Sequence, residues 1–482
     1  MKRLIVADAA ERESITSSIG SPRPTDNGFR ATCGARYHPP DARRKESSLS
    51  DTPHSVEVQA RYRGHRSVVP FACLEASVII SGAGNGVAVV ALPWLVLERT
   101  GNPAAAGIMG AATAFPLLLS SLFSGSVADT LGRRATSIVA DVLSAISVAA
   151  IPFVDATIGL NLPLFVLLAA IGAVFDPAGA TAREAMLPDV AARAGMRLER
   201  ANGIHEAAWG VAYMVGPGVG GLLIATIGAG GALWATSLTF LVSVLLIAFL
   251  RTPGVGRPAT HERPTGILRG SLEGLSFVWR DRVLRTLTVL TMVIVAIYLP
   301  IEGVILPVVF EEQGAAGRLG GTLMALSGGG VAGSLLYGAV AQRFSRRSVL
   351  IGSLVGAAAA ILAISLLPPY PLLVAAAALA GFFWGPFGPL LNLRMQTFTP
   401  PAMRGRVLGI LIATEYAAGP AAYLLVGWLV ARFGPETVFL GTGILMVAAC
   451  LGFAALPTLK HLDDEGPYSA ELQPPDIKPP AV

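Results

Sequence analysis

The sequence is short of charge. Of its 482 residues, 14% are Asp, Glu, Lys or Arg, whereas 53% are hydrophobic. Soluble globular chains carry roughly 25% charged residues, so the composition excludes an ordinary soluble domain. The charges are clustered and leave uncharged runs of about twenty residues. At ~1.5 Å per residue, such a run crosses the ~30 Å hydrocarbon layer of a bilayer.

Lysine is rarer still, with only Lys2, Lys45, Lys460 and Lys478. None follows a glycine, so there is no Gly-x-x-x-x-Gly-Lys phosphate loop and no ATP hydrolysis by that route. The motifs His-Glu-x-x-His and Gly-x-Ser-x-Gly are also absent. We therefore expect no enzyme, no cofactor and no metal site. If the chain moves a solute uphill, an ion gradient must drive it.

Cysteine is equally scarce. Cys33, Cys73 and Cys450 share no metal-binding or redox spacing and indicate no disulfide framework. The N-terminus has too short an apolar run for a signal peptide. Residues 1–66 are polar and rich in Arg, Ser and Pro, which is typical of a disordered tail, and residues 458–482 are predicted to be a second tail.

Long apolar runs are what the sequence has in abundance. They lack the alternation of β-barrel strands, so they are predicted to be helices, which satisfy their own backbone hydrogen bonds in lipid. Twelve spans are predicted, near 70–97, 103–127, 135–154, 160–178, 203–226, 230–250, 284–308, 319–341, 348–367, 371–392, 407–431 and 436–456. The predicted fold class is an all-α polytopic membrane protein.

Basic residues distinguish the two faces of the membrane. On these boundaries the even-numbered loops carry nineteen Lys and Arg. Every Lys and Arg of the chain can be assigned to a tail, a loop or a span end. The odd-numbered loops carry three, Arg99, Arg318 and Arg432. The positive-inside rule then places the even loops and both termini in the cytoplasm. The net charge of +5 is explained by topology, and we expect no nucleic-acid partner.

One ten-residue motif occurs twice. Gly125-Ser-Val-Ala-Asp-Thr-Leu-Gly-Arg-Arg134 joins spans 2 and 3, and Gly338-Ala-Val-Ala-Gln-Arg-Phe-Ser-Arg-Arg347 joins spans 8 and 9. The repeat predicts two similar six-helix halves, residues 67–250 and 284–457, joined by a cytoplasmic linker at 251–283 that includes a short amphipathic helix. Parallel halves of this kind are typical of secondary transporters.

Four acids lie inside the apolar runs, on spans 3, 5, 7 and 11: Asp141, Glu206, Glu302 and Glu415. Ionisable side chains at membrane depth are costly and usually mark proton or substrate paths. The alternative is a position near a span end, from which the side chain reaches the headgroups. His205 could pair with Glu206. Acids without a fixed cation favour a cationic or neutral substrate.

Span 5 carries small residues and a proline at regular spacing. Such residues let a neighbouring helix approach closely, and the proline bends the span. The pattern consists of Gly203, Ala212, Gly216, Pro217, Gly220 and Gly221.

The repeated motif resembles the loop 2–3 motif of the major facilitator superfamily. Its key positions are Gly125, Asp129, Gly132, Arg133 and Arg134, with Arg346 and Arg347 in the second copy. The span 5 pattern resembles the antiporter motif of the drug:proton antiporters, with Ala212 replacing one glycine. Stretches such as Ala91-Leu-Pro-Trp-Leu-Val96 and Met186-Leu-Pro-Asp189 extend the likeness to Tap-type multidrug efflux pumps.

The resemblance implies a major facilitator fold in the cell (inner) membrane. It also implies proton-coupled export of small compounds, such as tetracycline and aminoglycosides, by a monomer. Asp129 would cap the N-terminus of span 11, near Arg406, and close the cytoplasmic side. The second copy has Gln342 and Ser345 in place of acid and glycine and should gate more weakly.

Span 1 departs from the related pumps, which often carry an acid where this chain has Asn85. Coupling is therefore expected to rest on Glu206 and Glu302. Two alternatives remain open, an exporter of one native metabolite or siderophore, and a sensor or scaffold that has lost transport.

Overall fold

The computed structural model describes residues 67–159, 161–250, 267–340, 343–400, 403–464 and 466–467, except the side chains of 121–130, 199, 267–271, 340 and 405. The predicted tail at 1–66, the first part of the predicted linker and Gln342 lie outside the described residues.

The described chain is built from helices. Those of the first half are α1 (Val69–Thr100), α2 (Pro103–Leu131), α3 (Arg133–Thr157), α4 (Leu162–Ala194) and α5 (Leu198–Ala248). The later ones are α6 (Ile267–Arg280), α7 (Arg282–Pro300), α8 (Leu306–Glu311), α9 (Ala316–Val340), α10 (Arg346–Ser365), α11 (Tyr370–Trp384), α12 (Phe387–Phe398), α13 (Arg404–Phe433) and α14 (Pro435–Ala454). A π-helical turn, Ile301–Ile305, joins α7 to α8, and a 3-10 helix, Pro457–Leu462, follows α14.

The described residues contain eleven helical segments long and apolar enough to cross a membrane. One of them, α5, has 51 residues and is interrupted at Gly228, whose φ of 75° suits glycine. A straight helix of that length would be ~76 Å long, more than twice the hydrocarbon thickness. Its two arms therefore correspond to two of the predicted spans, and the predicted turn between them is a bend inside one helix.

The two halves meet mainly through two helix pairs, α2 with α13 and α5 with α9. A Cβ added to Gly107 would lie 2.9 Å from the Cα of Gly427, and one added to Gly221 would lie 2.8 Å from the Cα of Gly320. Only small residues allow backbones to approach so closely. Both contacts lie at the end of the bundle where α2 begins, so the halves are closed against each other at that end.

The opposite end carries the Arg-rich loops and a polar cluster beneath the second half. Arg394, on α12, donates through Nη1 to the carbonyl of His461 at 3.1 Å, and its Nη2 lies 3.7 Å from Asp281. Leu459 and Leu462 are buried. The first residues of the predicted C-terminal tail are thus part of the fold, because two leucines of the 3-10 helix pack into it.

Candidate functional site

Glu302 lies in the π-helical turn in the middle of the span formed by α7 and α8. Tyr298, four residues earlier, donates a hydrogen bond from its hydroxyl to Oε2 of Glu302 at 2.9 Å. π-Helical turns inside α-helices are frequent at functional sites. The adjacent Gly303 packs against the ring of Tyr423 on α13. Glu302 therefore lies where the two helices meet, partly buried, with a neutral hydroxyl as its partner.

A second carboxylate faces the same region from the first half. Asp176, on α4, accepts two hydrogen bonds from Nδ2 of Asn85 on α1, at 2.9 Å and 2.8 Å. The amide supplies one proton to each carboxylate oxygen. Asp176 is partly buried and absent from the acids predicted above. Asn85, which departs from the related pumps, thus holds an acid that the neighbouring helix provides.

Tyr213 shows that these acids share one space. It lies fifteen residues into α5, about 22 Å along the helix at ~1.5 Å per residue, yet its side chain is 60% exposed. Asp176, Glu302 and Glu415 all lie within electrostatic range of its hydroxyl, as does Tyr416. Because α4 and α5 belong to one half and the other residues to the second, the exposed face of Tyr213 borders a space between the halves.

Asp141 has a different environment. Its carboxylate lies 2.8 Å from Nη1 of Arg183 and accepts a hydrogen bond from Ser243 at 2.6 Å. Arg183 also donates to Ser81 at 3.2 Å. Both charged side chains are almost completely buried, so this is an ion pair inside the first half. The sequence-based assignment of Arg183 to a loop was wrong, because α4 continues to Ala194 and carries it into the bundle.

His205 and Glu206 are not paired with each other. Nδ1 of His205 lies 3.2 Å from both carboxylate oxygens of Glu75 on α1, and both of these side chains are buried. Glu206 points the other way and is exposed. The hypothesis of a His205–Glu206 pair is therefore corrected to a Glu75–His205 pair that links α1 to α5.

The arginines of the first repeated motif bind backbone carbonyls of helices in their own half, and those bound by Arg134 end α5. Arg133 donates to the carbonyl of Ala185 at 2.7 Å, and its Nη1 lies 3.7 Å from Asp189, also on α4. Arg134 donates to the carbonyls of Ile247 and Ala248. A cation at the last carbonyls of a helix is stabilising. The side chain of Asp129 lies outside the described part, and Gly125 lies in helix α2.

The two copies of the motif differ in backbone geometry. Gly132 has a φ of 90°, which favours glycine. Ser345 has a φ of −64° and caps α10 by accepting from the backbone N–H of Ser348 at 3.1 Å. Next to Arg346, the backbone N–H of Arg347 donates to Asp463 at 3.4 Å. The replacement of glycine by serine thus accompanies a change of helix cap.

The small residues of span 5 pack against two neighbouring helices. Three of them, Ala212, Gly216 and Gly220, face α1 within the same half, whereas Gly221 faces α9 of the other half. A Cβ on Gly216 would lie 2.8 Å from Cα of Gly86. Pro217 lies between the two sets, and no heavy atom is within 4 Å of a Cβ built on Gly203.

Widening this contact should slow the export that the resemblance of the sequence implies. A Cβ on Gly320 would lie 2.6 Å from the carbonyl of Pro217 and 2.9 Å from Cα of Gly221, so Gly320→Ala must push α9 away from α5. We expect a several-fold slower export, measured by ethidium efflux. Gly317→Ala, one turn earlier with open space around the added methyl, is the matched control. Equal rates for the two variants would show that this contact does not limit transport.

The N-terminus of α13 has a partner from the linker. Nη1 of Arg406 lies 2.5 Å from Oε2 of Glu273 on α6. A Cβ on Gly274 would lie 2.9 Å from the carbonyl of Arg406, so the two helices are in close contact. The ion pair is about 40% exposed, and exposed pairs contribute about 0–1 kcal/mol. Backbone packing therefore holds α6 against α13 more than the charges do.

The chain matches known proteins along most of its length. Residues 66–478 match the family described as transmembrane secretion effector. The chain is 41% identical over 404 residues to the multidrug efflux pump Tap of Mycolicibacterium fortuitum, a match that covers 83% of this chain and 98% of that protein. It is 42% identical over 404 residues to Tap of Mycobacterium tuberculosis (strain ATCC 25618 / H37Rv), covering 83% and 95%.

A solved structure agrees with the fold. The nucleoside transporter NupG matches 80% of this chain and 98% of its own, with a TM-score of 0.65 at 14% identity. The fold is all-α and polytopic, and its two halves enclose acids. The family and fold matches, which cover most of the chain, agree with it. The chain belongs to the transmembrane secretion effector family of the major facilitator superfamily and is a multi-pass transporter of the cell membrane.

Proposed function

We propose that the protein is a proton-coupled exporter of small amphipathic compounds, cationic or neutral, across the cell membrane. The observation that carries this proposal is the convergence of Asp176, Glu302 and Glu415, from both halves, on the space beside Tyr213. The name of the Tap relatives, multidrug efflux pump, supports export of several compounds rather than one.

The negative charge of the site favours cationic substrates. The guanidinium of Arg183 is paired with Asp141 within the first half. Its charge also acts on Asp176, so a positive ligand is expected mainly at the two acids of the second half, Glu302 and Glu415. Carboxylates in a partly desolvated space attract a positive ligand strongly, because the lower dielectric strengthens the interaction. They repel phosphates and dicarboxylates. Tyr213 and its stacked neighbour Trp209, with ring centroids 5.7 Å apart, add aromatic surface suited to cations and flat rings.

Two acids have partners that tolerate a change of protonation. The Tyr298 hydroxyl donates to ionised Glu302 and can instead accept from the protonated acid. The amide of Asn85 donates to ionised Asp176, and its carbonyl oxygen can accept once the amide turns over. Asp141, by contrast, faces a guanidinium that is always charged. We therefore propose Glu302 and Asp176 as coupling sites and Asp141 as a structural residue.

Coupling follows from competition for the same carboxylate. A cation binds when Glu302 is ionised, and proton binding removes the charge that holds it. Alternation between states in which the acids face opposite sides then exchanges one proton for the cation. Glu415 and Glu206, both exposed, are proposed to attract cations toward this site from the Arg-rich end.

The proposed orientation places the Arg-rich loops and both termini in the cytoplasm. The structure is then closed toward the outside by the glycine contacts of α2 with α13 and α5 with α9. Asp129 is proposed to hold the cytoplasmic side closed in the opposite state by capping α13. Arg133 and Arg134, with the weaker copy at Arg346 and Arg347, support the loops around it. Because one chain supplies every acid of the site, a monomer is the proposed transporting unit.

Accumulation measurements test the function. Expressed in a pump-deficient bacterial host, the protein should lower the steady-state content of ethidium and tetracycline several-fold. A proton uncoupler should abolish the difference, because the gradient supplies the driving force. A host carrying the empty vector is the control. Equal accumulation with and without the protein, at confirmed expression in the membrane, would contradict export of these compounds.

A further inference from the structure

A cavity lies within the second half, and all of its lining residues belong to that half. It has a volume of about 120 Å³ and is walled by α7, α9, α10, α11 and α14. Its lining is almost entirely apolar and includes Ile294, Leu354, Ala357, Ile361 and Met446. An enclosed apolar cavity of about 150 Å³ is known to bind benzene. The volume therefore suits an apolar group of about one aromatic ring.

One residue joins this cavity to the acid site. Tyr298 lines the cavity, and its hydroxyl donates to Glu302 at 2.9 Å. If the ring of Tyr298 turned away from the cavity, it would leave an apolar chamber with the carboxylate of Glu302 at its edge. Trp384, stacked on Phe387 with centroids 4.8 Å apart, forms another wall.

We propose that this cavity binds the apolar, ring-sized group of a substrate whose cationic group lies at Glu302. The inference rests on the proposed function and adds a subsite to it. The occupant follows from the combination of an empty apolar volume with an acid that lies behind one of its walls, the ring of Tyr298. An aryl cation satisfies both once that ring turns away. A lipid acyl chain would fill the apolar volume but gains nothing from the carboxylate.

Filling the cavity tests the proposal. Ala357→Phe places a ring inside it, whereas Ala359→Phe, two residues along the same helix, adds the same ring at an exposed position. The probes are benzyltriethylammonium and tetraethylammonium, which differ by one aromatic ring, and each is measured as an inhibitor of ethidium export. In the unmodified protein and in Ala359→Phe we expect the benzyl compound to inhibit at least tenfold more strongly. In Ala357→Phe the difference should fall below threefold.

Three results would overturn the subsite. The first is equal inhibition by both probes in the unmodified protein. The second is an unchanged ratio of their inhibition in Ala357→Phe. The third is an equal loss of inhibition by the two probes in Ala357→Phe, as expected for a lipid site. Absence of ethidium export by the unmodified protein would instead contradict the proposed function. If Ala357→Phe does not fold, Ile361→Ala enlarges the cavity and should shift preference from the benzyl to the naphthylmethyl cation. An unshifted preference there would also reject the proposal.

Discussion

Replacing Glu302 by Gln is expected to uncouple export from the pH gradient. Glutamine keeps the size of the side chain and can still accept the hydrogen bond of Tyr298, so the fold should survive. It carries no charge and binds no proton, so the competition between proton and cation disappears. Coupling between two ligands is typically ~1–3 kcal/mol, or about 5–150-fold, and we expect a loss of stimulation in that range.

The measurement uses purified protein in proteoliposomes with an imposed pH gradient. Uptake of tetraphenylphosphonium is followed with and without the gradient, and proton release on substrate addition is followed with a pH dye. Glu312→Gln, at an exposed position ten residues along the same span, is the matched control and should keep both signals. Gradient-driven uptake at the unmodified rate in Glu302→Gln would remove Glu302 from the coupling sites.

Replacing Arg183 by Met is expected to destabilise the first half severely. The change leaves the carboxylate of Asp141 buried without its cation, 2.8 Å from where the guanidinium lies. Removal of one partner from a buried pair typically costs about 3–5 kcal/mol. The four hydroxyl and carboxylate contacts of Arg183 come from α1, α3 and α5, so the loss affects the packing of the whole half.

A double-mutant cycle distinguishes a structural pair from a coupling pair. Arg183→Met combined with Asp141→Leu leaves no buried charge, and such replacements are often neutral or stabilising. We expect the thermal unfolding midpoint in detergent to fall in either single variant and to recover in the double one. Gradient-driven export should recover with it. A double variant that folds but no longer responds to the pH gradient would show that the pair takes part in coupling.

The sequence predicts the class of fold because apolar runs and their lengths are a strong signal in a membrane protein. It predicts the spans less well where a helix continues past the first charged residue. Arg183 looks like a loop residue since the apolar run before it ends, yet α4 continues through two prolines to Ala194. Likewise the glycine-rich stretch around Gly228 predicts a turn, and the chain instead bends within one helix.

The site is harder to predict because its partners are distant in sequence. Asp176 and Asn85 are 91 positions apart, and Glu75 and His205 are 130 apart. No local spacing connects such residues, whereas Glu206 beside His205 suggests a pair that the helix geometry forbids, since adjacent residues do not share a helix face. Asn85 was the available signal. A polar amide at membrane depth needs a partner, and an acid on a neighbouring span satisfies it.

The π-helical turn at Ile301–Ile305 has a consequence for sequence comparison. Such a turn amounts to one extra residue in an α-helix. It rotates everything after it by about 100° relative to everything before it, given 3.6 residues per turn. A relative without the turn would therefore need a one-residue gap in this span to keep both Tyr298 and Phe310 on their present faces. An ungapped alignment would match one side of Glu302 correctly and assign the residues beyond it to the wrong neighbours.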